Sequence, residues 1–289
     1  MNSSEISSDQ LQPTNSTVSL LNCLGSPSFT GSVVVMTIDF TFGVPANGWS
    51  LWLISSGGWS LIESEIFTLN LVSMEMASTL LFMLSILNVF TLRNLSLELA
   101  FNFMYGVVFA ARPLFQCCIC VERYLAVVHP VVFLKYKPLR YRVGCCGVVW
   151  LLVLVFGVIN YKILSVYNNL GIFLPVLSMD LFCSLSILRV LKKPGPGDGG
   201  KEKEGGNLQK KRAFRIVSIM VVMLLVNYVP TIIMAPMMHL FSEKENLCEI
   251  APPLVSFSIM GSSVQALLFL RRAGKVPCLC AGRGSGENH

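Results

Sequence analysis

The side chains best placed to do chemistry in this sequence are a few charges set in long apolar runs. Residues 97–130 read LELAFNFMYGVVFAARPLFQCCICVERYLAVVHP, an apolar stretch that ends in Glu122-Arg123-Tyr124 and carries a lone arginine, Arg112, near its middle. Glu75 lies about ten residues into the preceding apolar stretch. A charge at mid-membrane depth costs roughly 2.5 to 3.5 kcal/mol on insertion scales, so each of these needs a counter-charge. At 1.5 Å per residue the two sit roughly 14 and 17 Å from one end of their helices, a difference an arginine side chain covers. An intramembrane Glu75–Arg112 ion pair is therefore expected, either as part of a switch or simply tying two helices together. Eleven residues separate Arg112 from Arg123, about three helical turns, so both project from nearly the same face. Arg123 is an always-charged planar fork, and Glu122 beside it is the expected resting partner.

These charges need helices to hold them. The chain has 289 residues, 53% hydrophobic and only 13% charged, well below the roughly 25% charged of soluble domains. Seven apolar stretches of spanning length fall near 31–56, 65–91, 97–125, 143–162, 166–191, 213–239 and 249–270. The expected fold class is all-α, a polytopic membrane protein with a seven-transmembrane helix bundle. Residues 1–30 form an N-terminal tail with no evident cleavable signal, 31–270 the bundle, and 271–289 a C-terminal tail.

Eighteen of the 22 Lys and Arg residues collect on one side: Arg123, four from Lys135 to Arg142, nine from Arg189 to Arg215, and four in the C-terminal tail. The positive-inside rule then puts the N-terminus outside and the C-terminus in the cytosol. The first loop, with Glu63 and Glu65 and no basic residue, runs against the rule and is outvoted. Sequons at Asn2 and Asn15 agree with a lumenal tail, and a third at Asn94 lies too near a span to serve. The loop at about 192–212, KKPGPGDGGKEKEGGNLQKKR, is charged and Gly-rich and is expected to be disordered. The net charge of +6 reflects orientation rather than a nucleic-acid groove. No HExxH, GxSxG or phosphate loop marks an enzyme, and nothing calls for a cofactor or metal. Cys117, Cys118 and Cys120 diverge on a helix and make a poor metal site.

The layout and several motifs resemble the rhodopsin-like (class A) G-protein-coupled receptors. Asn47, Asn70 in LNLVSMEMA, Glu122-Arg123-Tyr124, Trp150, Pro175 and Pro230 stand in the right spans and order. RPLFQCCICVERYLAVVHP and the PGPG after span five also resemble a group of orphan fish receptors distantly related to nucleotide and peptide receptors. The resemblance covers roughly 31–280. Departures are as plain. The second-span acid is Glu75 rather than aspartate, Tyr228 stands for the sixth-span tryptophan, Gln265-Ala266-Leu267-Leu268-Phe269 replaces NPxxY, Cys183 takes the fifth-span tyrosine position, and the third-span extracellular cysteine is missing.

The resemblance implies a cell-surface receptor that passes an unknown extracellular ligand's signal to a heterotrimeric G protein through Arg123. It implies that a Glu75–Arg112 pair stands where the family holds a sodium ion, with Ser262, Ser263 or Gln265 satisfying further donors. Asn102, Tyr105, Phe109 and Tyr228 become candidates for a ligand cavity, against simple helix packing. Cys23 and Cys248 either join tail to third extracellular loop, as in some peptide and nucleotide receptors, or stay free or pair between molecules. Cys278 and Cys280 suit S-palmitoylation at the inner leaflet. The competing readings are a receptor-like protein that does not signal and a transporter using Glu75 and Arg112 as a relay.

Overall fold

The computed structural model describes residues 23, 25–92, 94–162, 166–192, 204–234, 240–242 and 245–272. Asn2, Asn15, Cys278 and Cys280 lie outside the described residues, as do the side chains of Asn102, Ser262, Ser263 and Gln265. Among the described residues, seven long helices follow one another: α1 Pro27–Ser56, α2 Ile66–Leu87, α3 Leu95–Val128, α4 Leu139–Lys162, α5 Val166–Lys192, α6 Glu204–Met234 and α7 Ala251–Arg272. Two short helices, Trp59–Ser64 and Pro130–Tyr136, cap the turns after α1 and α3. No strand occurs among the described residues.

Local sequence sets the helix ends. Ser26 accepts a hydrogen bond from the Phe29 N–H at 3.3 Å, and Pro27 opens α1 where no N–H is needed. Gly58 turns the chain out of α1 at φ 80°, a left-handed conformation that a side chain would strain. Asn94 caps α3 through its side-chain oxygen, which accepts from the N–H groups of Ser96 and Leu97 at 2.9 and 3.4 Å. Asn88, at the π-helical end of α2, accepts from the Asn94 N–H at 3.0 Å and fixes the α2–α3 turn. Pro45, Pro113, Pro175 and Pro230 sit inside helices, a placement that membrane helices tolerate because neighbouring helices stabilise the interrupted turn.

The helices close into a ring around α3. α1 packs on α2 and α7, α2 on α3, α5 on α6, and α6 on α7, while α3 also contacts α4 and α5. Six helices, α1 to α6, are long and apolar enough to cross a membrane, so the chain is a multi-pass membrane protein. α3 is the central one: 56% of its apolar window is buried, against 17% to 39% in the other five. The core is built on Val107, Ala110, Ala111, Phe115 and Ile119 of α3, with Leu71 from α2 and Val153 from α4. Gly157 brings α4 onto α3 at close range, since a Cβ there would stand 2.7 Å from Val107 Cγ2. Outward residues such as Phe42, Trp52, Leu151 and Phe182 are apolar and exposed, as a lipid-facing surface requires.

Two boundaries differ from expectation. α1 begins at Pro27 rather than near 31. α6 begins at Glu204, inside the stretch read as disordered; residues 193–203 of that stretch lie outside the described residues. Once an apolar helix is nucleated, each further residue adds a hydrogen bond at little cost, and Leu208, Gln209, Lys210 and Lys211 are adequate helix formers.

Candidate functional site

Glu75 of α2 and Arg112 of α3 meet in the middle of the bundle. Arg112 donates from Nε to one carboxylate oxygen of Glu75 and from Nη2 to the other, a bidentate fork. Glu75 is 2% exposed and Arg112 9%, so the pair is shielded from water and lipid. Asp39 of α1 and Tyr228 of α6 lie close enough to act electrostatically on Arg112. Asp39 was not singled out by the sequence as part of this group. Its only signal was a carboxylate inside an apolar span, and nothing in the pattern of α1 showed which neighbour it faced.

About 17 Å further along α3, at 1.5 Å per residue, Arg123 makes a second bond to the α2 segment. Its Nη2 donates to both carboxylate oxygens of Glu65 at 3.3 Å. Glu65 is buried just before α2 and also accepts from the Thr68 hydroxyl at 2.9 Å. Glu122 turns the other way and pairs with Arg142 of α4. Arg142 in addition donates to the backbone carbonyls of Glu63 and Ser64 at 2.8 and 3.1 Å. The expected Glu122–Arg123 resting pair is therefore corrected: the acid binds α4 and the arginine binds the start of α2. Neighbouring residues on a helix point about 100° apart, so adjacent side chains seldom face each other and each reaches a different neighbour.

The two arginines of α3 thus meet two acids of the α2 segment in matching order. Ten residues separate Glu65 from Glu75, eleven separate Arg112 from Arg123, and the two helices run antiparallel. The acidic first loop, anomalous by the charge rule, supplies Glu65 as the counter-charge of Arg123. Tyr124 completes the triplet by sharing a hydrogen bond with His129 Nε2 at 3.1 Å and packing on Phe182 of α5, ring centroids 5.7 Å apart. Deeper in the bundle, at the level of Phe115, Trp150 of α4 donates to the side-chain oxygen of Asn70 of α2 at 3.1 Å.

No family model matches the sequence. Individual relatives do. The chain is 28% identical over 130 residues to a purinoceptor of Gallus gallus, covering 42% of this chain and 35% of that one. It is 29% identical over 135 residues to proteinase-activated receptor 2 of Bos taurus, covering 45% and 34%. With proteinase-activated receptor 3 of Rattus norvegicus it is 30% identical over 127 residues, covering 42% and 34%. These relatives are class A G-protein-coupled receptors. The match spans about a third of the length of each curated relative. The helix bundle fits that receptor family, and the chain is similar to it in sequence.

Seen as a receptor bundle, the end opposite Arg123 carries the disulfide. Cys23 and Cys248 are joined, Cα atoms 5.1 Å apart, and Ser26 donates its hydroxyl to the Cys248 carbonyl at 3.0 Å. Glu249, exposed beside this bond, is held below the ordinary carboxylate range by the hydroxyls of Ser28 and Ser26. Between the disulfide and the Glu75–Arg112 pair, three of the four expected cavity residues are described, and they form a relay of rings. Phe82 of α2 meets Tyr105 at 6.2 Å, Tyr105 meets Phe109 at 4.9 Å, Phe109 meets Phe173 of α5 at 5.3 Å, and Phe173 meets Tyr228 at 5.3 Å. Tyr228 donates its hydroxyl to Gln116 at 3.4 Å. Arg112 lines a cavity of about 20 Å³ with Phe109 and Tyr228, while Tyr105 borders one of about 100 Å³. Neither reaches the roughly 300 Å³ at which small-molecule sites begin.

Proposed function

We propose that this chain is a cell-surface receptor that passes an extracellular ligand's signal to a heterotrimeric G protein, with the Cys23–Cys248 end outside and the Glu122-Arg123-Tyr124 end in the cytosol. The observation that carries the reading is the placement of Arg123. Its side chain is 32% exposed and rests on Glu65 through one nitrogen at 3.3 Å. An ion pair made through one nitrogen at 3.3 Å, with the arginine about a third exposed, is looser than a bidentate fork and more readily exchanged for another partner. The buried, bidentate Glu75–Arg112 pair is a far firmer contact. A fixed joint in the bundle centre and a weak joint at one end suit a helix whose end is meant to be released.

The positive charge gathered around 135–142 and 189–215 supports the orientation. The bidentate Glu75–Arg112 fork supports a built-in cation where the receptor family keeps a sodium ion. Its relatives, a purinoceptor and proteinase-activated receptors, set the first ligands to try: purines, and proteinases.

The test is G-protein recruitment in cells, read with surface delivery measured in parallel. Arg123→Ala is expected to abolish recruitment with no loss of surface protein. A chain delivered to the surface that recruits no G protein, basally or with either ligand class, is a receptor-like protein that does not signal.

A further inference from the structure

Cys118 of α3 and Cys145 of α4 face each other with their sulfurs 3.9 Å apart. They sit one turn from the Glu122–Arg142 pair on the same two helices, in the same antiparallel register. Among the described free cysteines, Cys145 is exposed and Cys117 and Cys118 partly so, whereas Cys120, Cys146 and Cys183 are buried; of the first three, Cys118 and Cys145 are the two whose sulfurs meet. Cys146 is further engaged by the Asn70 amide, which donates to its sulfur at 3.8 Å. Cys118 and Cys145 both line a cavity of about 360 Å³, walled also by Val121, Phe133 and Tyr141. That volume is many times the roughly 30 Å³ a water molecule occupies, so a small oxidant can reach both sulfurs.

We propose that Cys118 and Cys145 form a redox modification site, in which a hydroperoxide converts the two thiols into a disulfide that pins α3 to α4. The Cys145 sulfur attacks one peroxide oxygen, the O–O bond breaks, water leaves, and a sulfenic acid remains on Cys145. The Cys118 sulfur then attacks that sulfur and expels the second water. Two thiols and one hydrogen peroxide give one disulfide and two waters, the sulfurs being oxidised and the peroxide reduced. The sulfurs must close to about 2.0 Å, a movement side-chain rotation supplies when the backbones already oppose each other. Reducing thiols reverse the bond, so the modification reports oxidative load rather than folding. Its consequence is mechanical: the α3–α4 seam, held by a breakable ion pair at Glu122–Arg142, becomes covalent one turn away.

The experiment uses the full chain purified in detergent, treated with hydrogen peroxide, alkylated and mapped without reduction. The expected result is a new cross-link between the peptides of Cys118 and Cys145, removed by dithiothreitol, with Cys120 and Cys183 still free to alkylate after unfolding. Because Cys117, Cys120 and Cys146 share those peptides, the cross-link must persist in Cys117→Ala, Cys120→Ala and Cys146→Ala and be lost in Cys118→Ser and in Cys145→Ser. The native Cys23–Cys248 bond, mapped in every sample, reports that each variant is folded. Free thiols at both positions after peroxide, oxidation that stops at a sulfinic acid on Cys145, or a cross-link that survives Cys145→Ser would each overturn the proposal. None of these results bears on whether the chain recruits a G protein.

Discussion

Glu65 takes on a weight that its place beside a short turn does not advertise. It is the acid on which Arg123 rests, and its removal leaves the fork without that partner while Glu122 stays bound to Arg142. Glu65→Gln is expected to raise ligand-independent G-protein recruitment several-fold, and unchanged basal recruitment from a well-expressed variant would remove Glu65 from the switch. The central pair behaves differently. Truncating one member strands a buried charge, at a cost of about 3 to 5 kcal/mol. Glu75→Gln should therefore lower the unfolding temperature in detergent markedly, and Glu75→Gln with Arg112→Leu should recover most of the loss. Equal stability of single and double variants would count against the pair as a structural unit. Depth arithmetic on two apolar stretches was enough to bring Glu75 and Arg112 together. The partners of Glu122 and Arg123 were not legible, because they depend on how α3 is rotated between α2 and α4. The clue was there in Glu63 and Glu65, two acids in a loop where the charge rule asked for bases.

The helices themselves were written plainly in the sequence, since apolar length alone marks a span and interior prolines do not hide it. What apolarity does not encode is which residues touch. Asn70 and Trp150 were each picked out singly, and only the packed bundle shows that one donates to the other. Gly157 drew no attention, because a glycine in a membrane helix is common. Its role is visible only against Val107 on α3. Gly157→Val should force α4 away from α3 and destabilise the bundle by about 1 to 3 kcal/mol, the usual range for overpacking. Thermal unfolding followed by a thiol-reactive dye, which would report the buried Cys146 of α4 as it becomes exposed, measures the loss. An unaltered melting profile would mean that α4 packs less closely than its neighbours suggest.

At the scale of the molecule, a covalent bond joins distant parts of the chain. The Cys23–Cys248 disulfide spans a sequence separation of 225 residues and ties the start of α1 to the approach to α7. Cys23→Ser is expected to lower the unfolding temperature, and dithiothreitol should do the same to the natural chain and nothing more to the variant. Beside the bond, Glu249 has its acidity strengthened by serine hydroxyls of the α1 start. A carboxylate held below its unfolded value stabilises the fold at neutral pH, and that contribution fades as pH falls through the depressed value. Protection of the amides at 26–30, taken as the exchange rate relative to the intrinsic rate at each pH, should therefore hold at neutral pH and fall only in acid, below the ordinary carboxylate range. Protection already lost near pH 6 would point to a different group.

The unequal strengths of the two α2–α3 contacts have a mechanical meaning. The deep Glu75–Arg112 fork acts as a fulcrum, and the stretch of α3 from Arg112 to Arg123 is a lever arm of about 17 Å. A tilt of about 10° around that fulcrum swings the far end by roughly 3 Å, on the same geometry. The Arg123–Glu65 contact, at 3.3 Å, cannot follow such a swing, while the fulcrum barely moves. A small push near the aromatic relay beside Arg112 would then emerge as a large displacement at the opposite membrane surface.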